Sequence, residues 1–268
     1  MKFGFICLNV AGHLNPMSAL ARRLQARDHE VVFLYSPGAA GLPFVPGDQT
    51  DWFRAHIREV SKLQGESALD ISMQDLMNQT EAILKSLPEM ITATGVDALV
   101  LDTAQLYAEL GPMQLGMPYI QVSNMLHFDY SGYTPLCLFS WPHETTPAAL
   151  ARNREGVAKI AEMLAPAITG IRAWAQRAGL KIDWEDLSST ISPLAWITQT
   201  PRAFDFESSH WPPQFHHTGP FIDGQGREKV DFPWERLTGE PLIYASMGTL
   251  MNGRAEVFRT IAAAVRRH

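Results

Sequence analysis

Apolar residues along this chain fall into two alternating patterns. Residues 3–10 form a short apolar run bounded by turn residues, which is typical of a buried strand. The apolar residues that follow repeat at the spacing of one helix face, and these are Met17, Leu20, Ala21 and Leu24. Residues 29–37 then return to the strand pattern. The first segments therefore predict a β-α-β unit.

The same alternation continues to about residue 200. The later segments are predicted, in order, as a short extended piece at 41–47, a helix over 69–94 kinked at Pro88, a strand ending near Asp102, a helix ending near Gly111, a strand over 118–124, helices over 147–179 and a last strand over 194–200. Strands that alternate with helices predict an α/β fold with a doubly wound, mostly parallel sheet. We expect residues 1–200 to form one Rossmann-like domain.

The pattern changes twice after residue 200. Residues 201–240 are rich in Pro, Gly, His, Trp and charged residues without clear periodicity, so we interpret them as an interdomain linker. Residues 241–268 begin a strand, a turn and a helix afresh. Because one strand and one helix cannot bury a core of their own, we expect them to be the start of a second, incomplete Rossmann-like domain.

Composition limits the kinds of molecule and compartment that this chain is expected to have as partner and location. The chain has 46% hydrophobic and 19% charged residues, and its net charge of -6 argues against a nucleic-acid partner. No apolar stretch approaches the roughly 20 residues that span a bilayer. Cys7 and Cys137 are far apart, so they indicate neither a disulfide framework nor a cysteine metal site. The first apolar run lacks a convincing cleavage region, and we expect a cytoplasmic protein.

Two side chains stand where strands are predicted to end. His13 lies at the turn between the first strand and helix, and Asp102 ends a later strand. Carboxyl ends of neighbouring parallel strands form the ligand crevice of such sheets, which suits a base and its orienting carboxylate. Two alternatives stay open: His13 as a surface histidine near a helix start, and Asp102 as the cap of a helix beginning at Thr103.

Two further segments suggest binding sites. Ser246, Gly248 and Thr249 lie between a predicted strand and helix, where amides and hydroxyls bind phosphate, although a purely structural turn would have the same composition. An aromatic-rich loop over residues 124–141 either packs on the core or, with the methionine-rich helix, lines an apolar acceptor pocket. The candidate pocket residues are Met73, Met77, Met125, Phe128, Tyr133 and Phe139.

Several other kinds of site are not indicated. The sequence has no GxGxxG, which disfavours a nicotinamide oxidoreductase, and no GxxxxGK[ST]. Tyr244 occupies the first glycine position of GxSxG. Adjacent His216 and His217 would point oppositely on a strand, so a shared metal ion is not expected. Asp205 and Glu207 are interpreted as a solvated acidic pair. No metal site is predicted.

Four segments carry a family resemblance. They are GHLNPMSALARRLQARDHEVVFL at 12–34, DALVLD at 97–102, FHHTGPF at 215–221 and PLIYASMGTL at 241–250. In wording and order they resemble the GT-B fold, nucleotide-sugar-dependent glycosyltransferases, closest to the bacterial members grouped with macrolide and zeaxanthin glycosyltransferases and with UDP-glucuronosyltransferases. The resemblance extends over essentially the whole chain.

The resemblance implies an inverting sugar transfer to a hydroxyl of a small-molecule acceptor. In this family the amino-terminal domain binds the acceptor, and His13 matches the general base with Asp102 as its partner. Ser246 and Thr249 match the donor-side loop near the nucleotide. The donor is expected to be a UDP-sugar, which acts as co-substrate. No further cofactor or metal ion is implied, because helix ends and side chains neutralise the diphosphate.

The sequence departs from the family at one place. The downstream His-Cys-Gly segment and the acidic-Gln pair that hold the donor sugar are absent, since the only histidine after His217 is His268. We therefore expect an acceptor domain with a truncated donor domain, inactive by itself and completed by a missing donor domain. The alternative is a non-catalytic small-molecule binding module that retains only the acceptor half.

Overall fold

A computed structural model describes residues 1–36, 41–47, 66–186, 188–207, 210–226, 231–248 and 254–266. Side chains are described from residue 71 onward in the long helix that begins at Glu66, with residue 72 excepted. Thr249 lies outside the described residues.

The described strands form one parallel sheet in the order β3-β2-β1-β4-β5-β6-β7. The strands are β1 Lys2–Ile6, β2 Glu30–Leu34, β3 Phe44–Val45, β4 Ala98–Asp102, β5 Tyr119–Ser123, β6 Trp196–Thr198 and β7 Phe215–His217. The order reverses at β1, which pairs with β2 on one side and with β4 on the other. This is the arrangement of a doubly wound sheet, so the predicted α/β fold is confirmed.

The described helices lie between the strands in the chain or follow them. Those in the described part of the chain are α1 Ala11–Gln25, α2 Glu66–Thr94, α3 Leu110–Leu115, α4 Pro147–Leu164, α5 Thr169–Arg177 and α6 Ala255–Val265. α4 begins as its sequence predicts, because Thr146 Oγ1 accepts the amide of Ala149 at 3.2 Å and Pro147 occupies the first turn. No described helix has the combination of length and apolarity that crossing a bilayer requires.

Alternation along the strands builds a core on each face of the sheet. Phe5 packs with Phe33 and Met17 on the face that α1 covers. Ile6, the next residue of β1, packs on the opposite face with Leu87 of α2. The two faces are therefore apolar, which is why β1, β2 and β4 appear as nearly continuous hydrophobic runs.

The short helix α3 differs from its prediction. A helix directly after Asp102 and ending near Gly111 was expected, but residues 103–109 form turns and α3 spans Leu110–Leu115. Pro112 has no amide hydrogen and fits only the first turn of a helix, which places the helix start at Leu110. Gly116 then ends α3 with a left-handed φ of 62°.

The predicted linker contains a strand of the sheet. β7 pairs with β6 in parallel, so residues 194–200 do not supply the last strand. β7 has only three residues with one apolar side chain, too few to show a period of two. Residues 241–247, predicted as a strand, pair with no described strand, whereas α6 forms within the predicted helix.

Candidate active site

His13 and Asp102 meet at the carboxyl edge of the sheet. Asp102 is the last residue of β4, and His13 lies in the first turn of α1, which follows β1. Because β1 and β4 are neighbouring strands, His13 Nδ1 lies 2.6 Å from Asp102 Oδ2. The Asp102 side chain is fully buried and the His13 side chain retains 17% exposure. The imidazole is therefore partly accessible to solvent.

The two carboxylate oxygens of Asp102 have different partners. Oδ2 contacts His13, while Oδ1 accepts the amide hydrogen of Ala104 at 3.0 Å. Oδ1 therefore stabilises a turn and not the expected helix at Thr103, because residues 103–109 form turns, while Oδ2 partners the histidine. The backbone bond fixes the carboxylate plane, and this orients the oxygen that faces His13. Burial, and secondly the Asp102 charge, raise the pKa of the adjacent Cys7 thiol.

The geometry assigns different tasks to the two ring nitrogens of His13. A buried carboxylate accepts from Nδ1–H, so in the neutral ring Nε2 carries the free lone pair. After Nε2 takes up a proton, the same carboxylate stabilises the imidazolium. The backbone next to His13 is unobstructed at Gly12, where an added Cβ would meet nothing within 4 Å.

The candidate pocket residues have different surroundings. Met77 is fully buried in a cluster with Leu84 and Leu110, so it belongs to the core. Met73 packs against that cluster. Met125 is 41% exposed, and Phe128 is half-buried beside Tyr130.

The remaining two candidates stack on other rings of the loop region. Tyr133 stacks on His210 with 3.6 Å between ring centroids. Phe139 stacks on Trp141 at 4.0 Å, and both rings lie against Gly156 of α4. The 124–141 loop is therefore packed onto α4 in this region, as one of its two interpretations predicts.

The phosphate-binding candidates are only partly described. Gly248 has a left-handed φ of 69°, and its amide donates to Ser246 Oγ at 3.2 Å. This hydrogen bond accounts for a serine-stabilised turn. Thr249 is outside the described residues. The donor role of these three residues stays a prediction.

The structure contains a second histidine cluster that the sequence pattern did not predict. His127, which follows β5, and His217 of β7 both contact Asp205. The Asp205 side chain is only 11% exposed, so its interpretation as part of a solvated acidic pair was wrong. Burial alone would raise the pKa of Asp205, but hydrogen bonds from His127 and His217 outweigh it and hold that pKa below its usual value. The sequence signal was the alternation at residues 216–217, which leaves His216 exposed and turns His217 inward.

One buried acid lies apart from both clusters. Glu109 is 7% exposed and accepts the hydroxyl of Thr190 at 2.6 Å. Burial raises the pKa of Glu109 to about 7, despite this hydrogen bond.

A cleft of about 520 Å³ lies at the amino-terminal edge of the strands and is lined by Lys2 and His29 among others. It is on the opposite edge of the sheet from His13.

Comparison with known proteins reveals two related sequences. The zeaxanthin glucosyltransferase of Pseudescherichia vulneris is 26% identical over 267 residues, covering 98% of this chain and 63% of that protein. The zeaxanthin glucosyltransferase of Pantoea ananas is 25% identical over 268 residues, covering 94% of this chain and 60% of that protein. The chain thus spans less than two thirds of the length of these curated relatives. No protein-family model matches it.

Solved structures show the same fold. The calicheamicin glycosyltransferase CalG4 matches with a TM-score of 0.58 and 15% identity, over 82% of this chain and 52% of its own. The glycotransferase of kitacinnamycin matches with a TM-score of 0.57 and 20% identity, over 89% of this chain and 55% of its own. These similarities confirm the resemblance to GT-B glycosyltransferases and the α/β fold expected from the sequence.

Proposed function

We propose that this chain supplies the acceptor-binding side and the general base of an inverting glycosyltransferase. The observation that carries the proposal is the His13 Nδ1 to Asp102 Oδ2 contact of 2.6 Å at the carboxyl edge of a doubly wound sheet. A buried carboxylate in contact with a partly exposed imidazole is the pairing that proton abstraction from a bound hydroxyl requires. The similarity to two glucosyltransferases supports sugar transfer as the reaction.

The proposed step needs one base. An acceptor hydroxyl gives its proton to His13 Nε2 while its oxygen forms a bond to the anomeric carbon of the donor sugar. The bond from that carbon to the nucleoside diphosphate breaks, and the leaving group takes the electron pair. Because attack and departure occur on opposite faces, the anomeric configuration inverts. The positive charge that His13 gains is stabilised by Asp102, whose carboxylate remains ionised.

The acceptor is proposed to be an apolar or aromatic alcohol. Exposed apolar side chains follow β5 at the same edge of the sheet as His13, with Met125 41% and Leu126 46% exposed. Phe128 is half-buried in the same segment. Apolar surface near a polar reactive group is the usual construction of a site for such molecules. The two relatives are named for zeaxanthin as acceptor, which agrees with this class.

The donor is proposed to be a nucleotide sugar, with a UDP-sugar as first candidate. Ser246, Gly248 and Thr249 would contact its phosphates, and a donor-binding domain outside this chain would complete the site. Amides and hydroxyls at a turn suffice for phosphate binding without a metal ion or further cofactor.

The proposed location is the cytoplasm. Both cysteines are free thiols, which suits that reducing compartment.

The decisive experiment uses the protein made from the full reading frame that contains this chain. Sugar transfer from UDP-glucose to a panel of apolar alcohols is measured for wild type, His13→Ala and Asp102→Asn. We expect both variants to lower turnover by roughly 10²- to 10⁴-fold, the usual contribution of a positioned base, while the acceptor KM changes little. His216→Ala and Asp97→Asn, which alter an exposed histidine and an exposed aspartate, should keep full turnover.

Two outcomes would contradict the proposal. Unchanged turnover in His13→Ala removes this residue from the mechanism. If the wild type binds the alcohols but neither binds nor uses a panel of nucleotide sugars, the chain is instead a small-molecule binding module without transfer activity. Calorimetric titration of donor and acceptor separately distinguishes these two results.

A further inference from the structure

Three side chains from separate segments converge beside β7. Asp205 Oδ2 lies 2.7 Å from His217 Nε2 and 3.1 Å from His127 Nε2. All three ligand atoms are within 4.8 Å of one another. His127 belongs to the segment after β5, Asp205 follows a short 3-10 turn, and His217 ends β7. The sheet and its loops thus hold two imidazoles and one carboxylate around a common point.

The cluster is mostly removed from solvent. The side chains of His127, Asp205 and His217 are 4%, 11% and 14% exposed. The His127 ring is surrounded by aromatic rings, namely Trp196, Trp211 and Phe215, at centroid distances of 6.1, 4.7 and 4.9 Å. These rings exclude water and fix the imidazole plane. Asp205 and His217 are the less buried of the three side chains, so the cluster is not fully sealed from solvent.

A second layer of contacts orients His127. Its Nδ1 lies 3.1 Å from Thr198 Oγ1, on β6. A histidine that binds metal through one nitrogen typically donates its other N–H to such an oxygen, which fixes the tautomer. Thr198 Oγ1 also accepts the amide of Thr200 at 3.2 Å, so the hydroxyl is itself held in place. His127 Nε2 is thereby directed at Asp205.

The three donor atoms and the distances between them favour one class of metal ion. Two imidazole nitrogens with one carboxylate oxygen are a recognised set for Zn²⁺, which accepts tetrahedral coordination with a water at the fourth position. At metal-ligand distances of about 2.0–2.1 Å, tetrahedral ligands are roughly 3.3 Å apart. The 3.1 Å contact is already close to this spacing, and the 2.7 Å contact has to lengthen by about 0.6 Å for an ion to enter. Mg²⁺ and Ca²⁺ prefer oxygen ligands and suit this set poorly.

We propose that His127, Asp205 and His217 bind a divalent transition-metal ion, Zn²⁺ in first place, through Nε2, Oδ2 and Nε2 with water as the fourth ligand. The ion joins β7, the edge strand of the described sheet, to the segment after β5 and to the segment that contains Asp205. β7 is three strands from β4, which is about 14 Å at the usual strand spacing, so the ion does not contact His13 or Asp102. Its role is to hold this edge of the domain together.

The test measures metal binding directly and needs no sugar transfer, so it fails or succeeds independently of the proposed function. The chelator-treated chain is titrated with Co²⁺, and visible absorption is recorded. We expect one equivalent of Co²⁺ to give the intense spectrum of tetrahedral coordination, which Zn²⁺ then abolishes by displacement and Mg²⁺ does not. Zn²⁺ should also raise the Tm of the chelator-treated protein.

Variants locate the site. His217→Ala and Asp205→Asn should lose the Co²⁺ spectrum and the Zn²⁺-dependent rise in Tm. His216→Ala, the adjacent exposed histidine, is the matched control and should keep both. Thr198→Val should weaken Zn²⁺ binding by roughly 10- to 100-fold, as expected when the residue orienting a ligand is removed.

Three results would overturn the proposal. The first is a wild-type titration in which one equivalent of Co²⁺ does not give the spectrum of tetrahedral coordination. The second is a His217→Ala protein that binds as well as His216→Ala. The third is a cluster that stays metal-free at excess Zn²⁺, in which case the three residues form only a hydrogen-bonded His-Asp-His unit. If a variant fails to fold by circular dichroism, the wild-type titration alone decides.

Discussion

Glu109 is a carboxyl group that the folded chain keeps away from water. Its partner is the Thr190 hydroxyl, and burial raises its pKa from 4.5 to about 7. In the unfolded chain the same group ionises near its ordinary value. The folded state therefore holds on to a proton that the unfolded state releases, and this difference couples stability to pH.

Stability should fall as pH rises from about 4.5 to about 7 because of this one residue. Below 4.5 both states are protonated, so the contribution is fully present, and above about 7 both are ionised and it has been lost. Replacing Glu109 by Gln keeps an oxygen that can accept from Thr190 but removes the titration. The free energy of unfolding of wild type relative to Glu109→Gln should drop by on the order of 3 kcal/mol across this window.

Urea unfolding at several pH values measures this difference. Glu162→Gln, which alters an exposed glutamate of α4, is the matched control and should parallel wild type at every pH. If Glu109→Gln shows the same pH dependence as wild type, the carboxyl is accessible to water in solution and is not a buried acid.

At the scale of elements, one close contact ties the aromatic-rich loop to α4. Gly132 has a left-handed φ of 72°, and a Cβ placed there would lie 3.0 Å from the backbone N and 3.1 Å from the Cα of Arg154. Backbone atoms of a helix cannot move aside as a side-chain end can. Only glycine therefore satisfies this approach.

Gly132→Ala should destabilise the chain by roughly 2–5 kcal/mol, because left-handed strain of about 1–2 kcal/mol adds to an overpacking cost of about 1–3 kcal/mol. Gly116 separates the two terms, since its φ is 62° but nothing lies within 4 Å of an added Cβ. Gly116→Ala should therefore cost only the strain. Equal losses of unfolding free energy in the two variants would show that the loop does not pack on α4.

Element length explains which parts of the sheet were predictable. β1, β2, β4 and β5 each have five residues inside apolar runs, and the sequence located all four. β7 has three residues with a single apolar side chain, so its pairing with β6 is fixed by tertiary contacts that no local pattern reports. The position of α3 depended on where Pro112 fits, which is a steric effect within one turn.

At the scale of the whole molecule, topology determined which site could be foreseen. His13 and Asp102 end neighbouring strands of a doubly wound sheet, and a general rule brings such ends together. The group of His127, Asp205 and His217 depends instead on the path of two loops. No periodicity encodes such a path. The same holds for Met77, whose helical stripe could not reveal that α3 and α5 would cover it.

We expect the folded domain to end soon after β7. The sheet closes with β7 in the described part of the chain, whereas residues 241–247 belong to no regular element and expose large apolar side chains. Those of Leu242, Ile243 and Tyr244 are 68%, 61% and 87% exposed. Exposed backbone without ladder hydrogen bonds is where proteases cut first.

Brief chymotrypsin treatment of this chain should therefore cleave at Trp234 and Tyr244 before any aromatic residue of the sheet strands, since both are at least 70% exposed. Tyr119, Trp196 and Phe215, buried in or beside the sheet strands, are the internal controls and should resist. Mass spectrometry identifies the fragments, and circular dichroism should show that the amino-terminal fragment keeps its fold. Cleavage within the sheet before residue 234, or protection of Tyr244, would place the domain boundary elsewhere. In the second case the 241–266 segment would pack against the domain it follows.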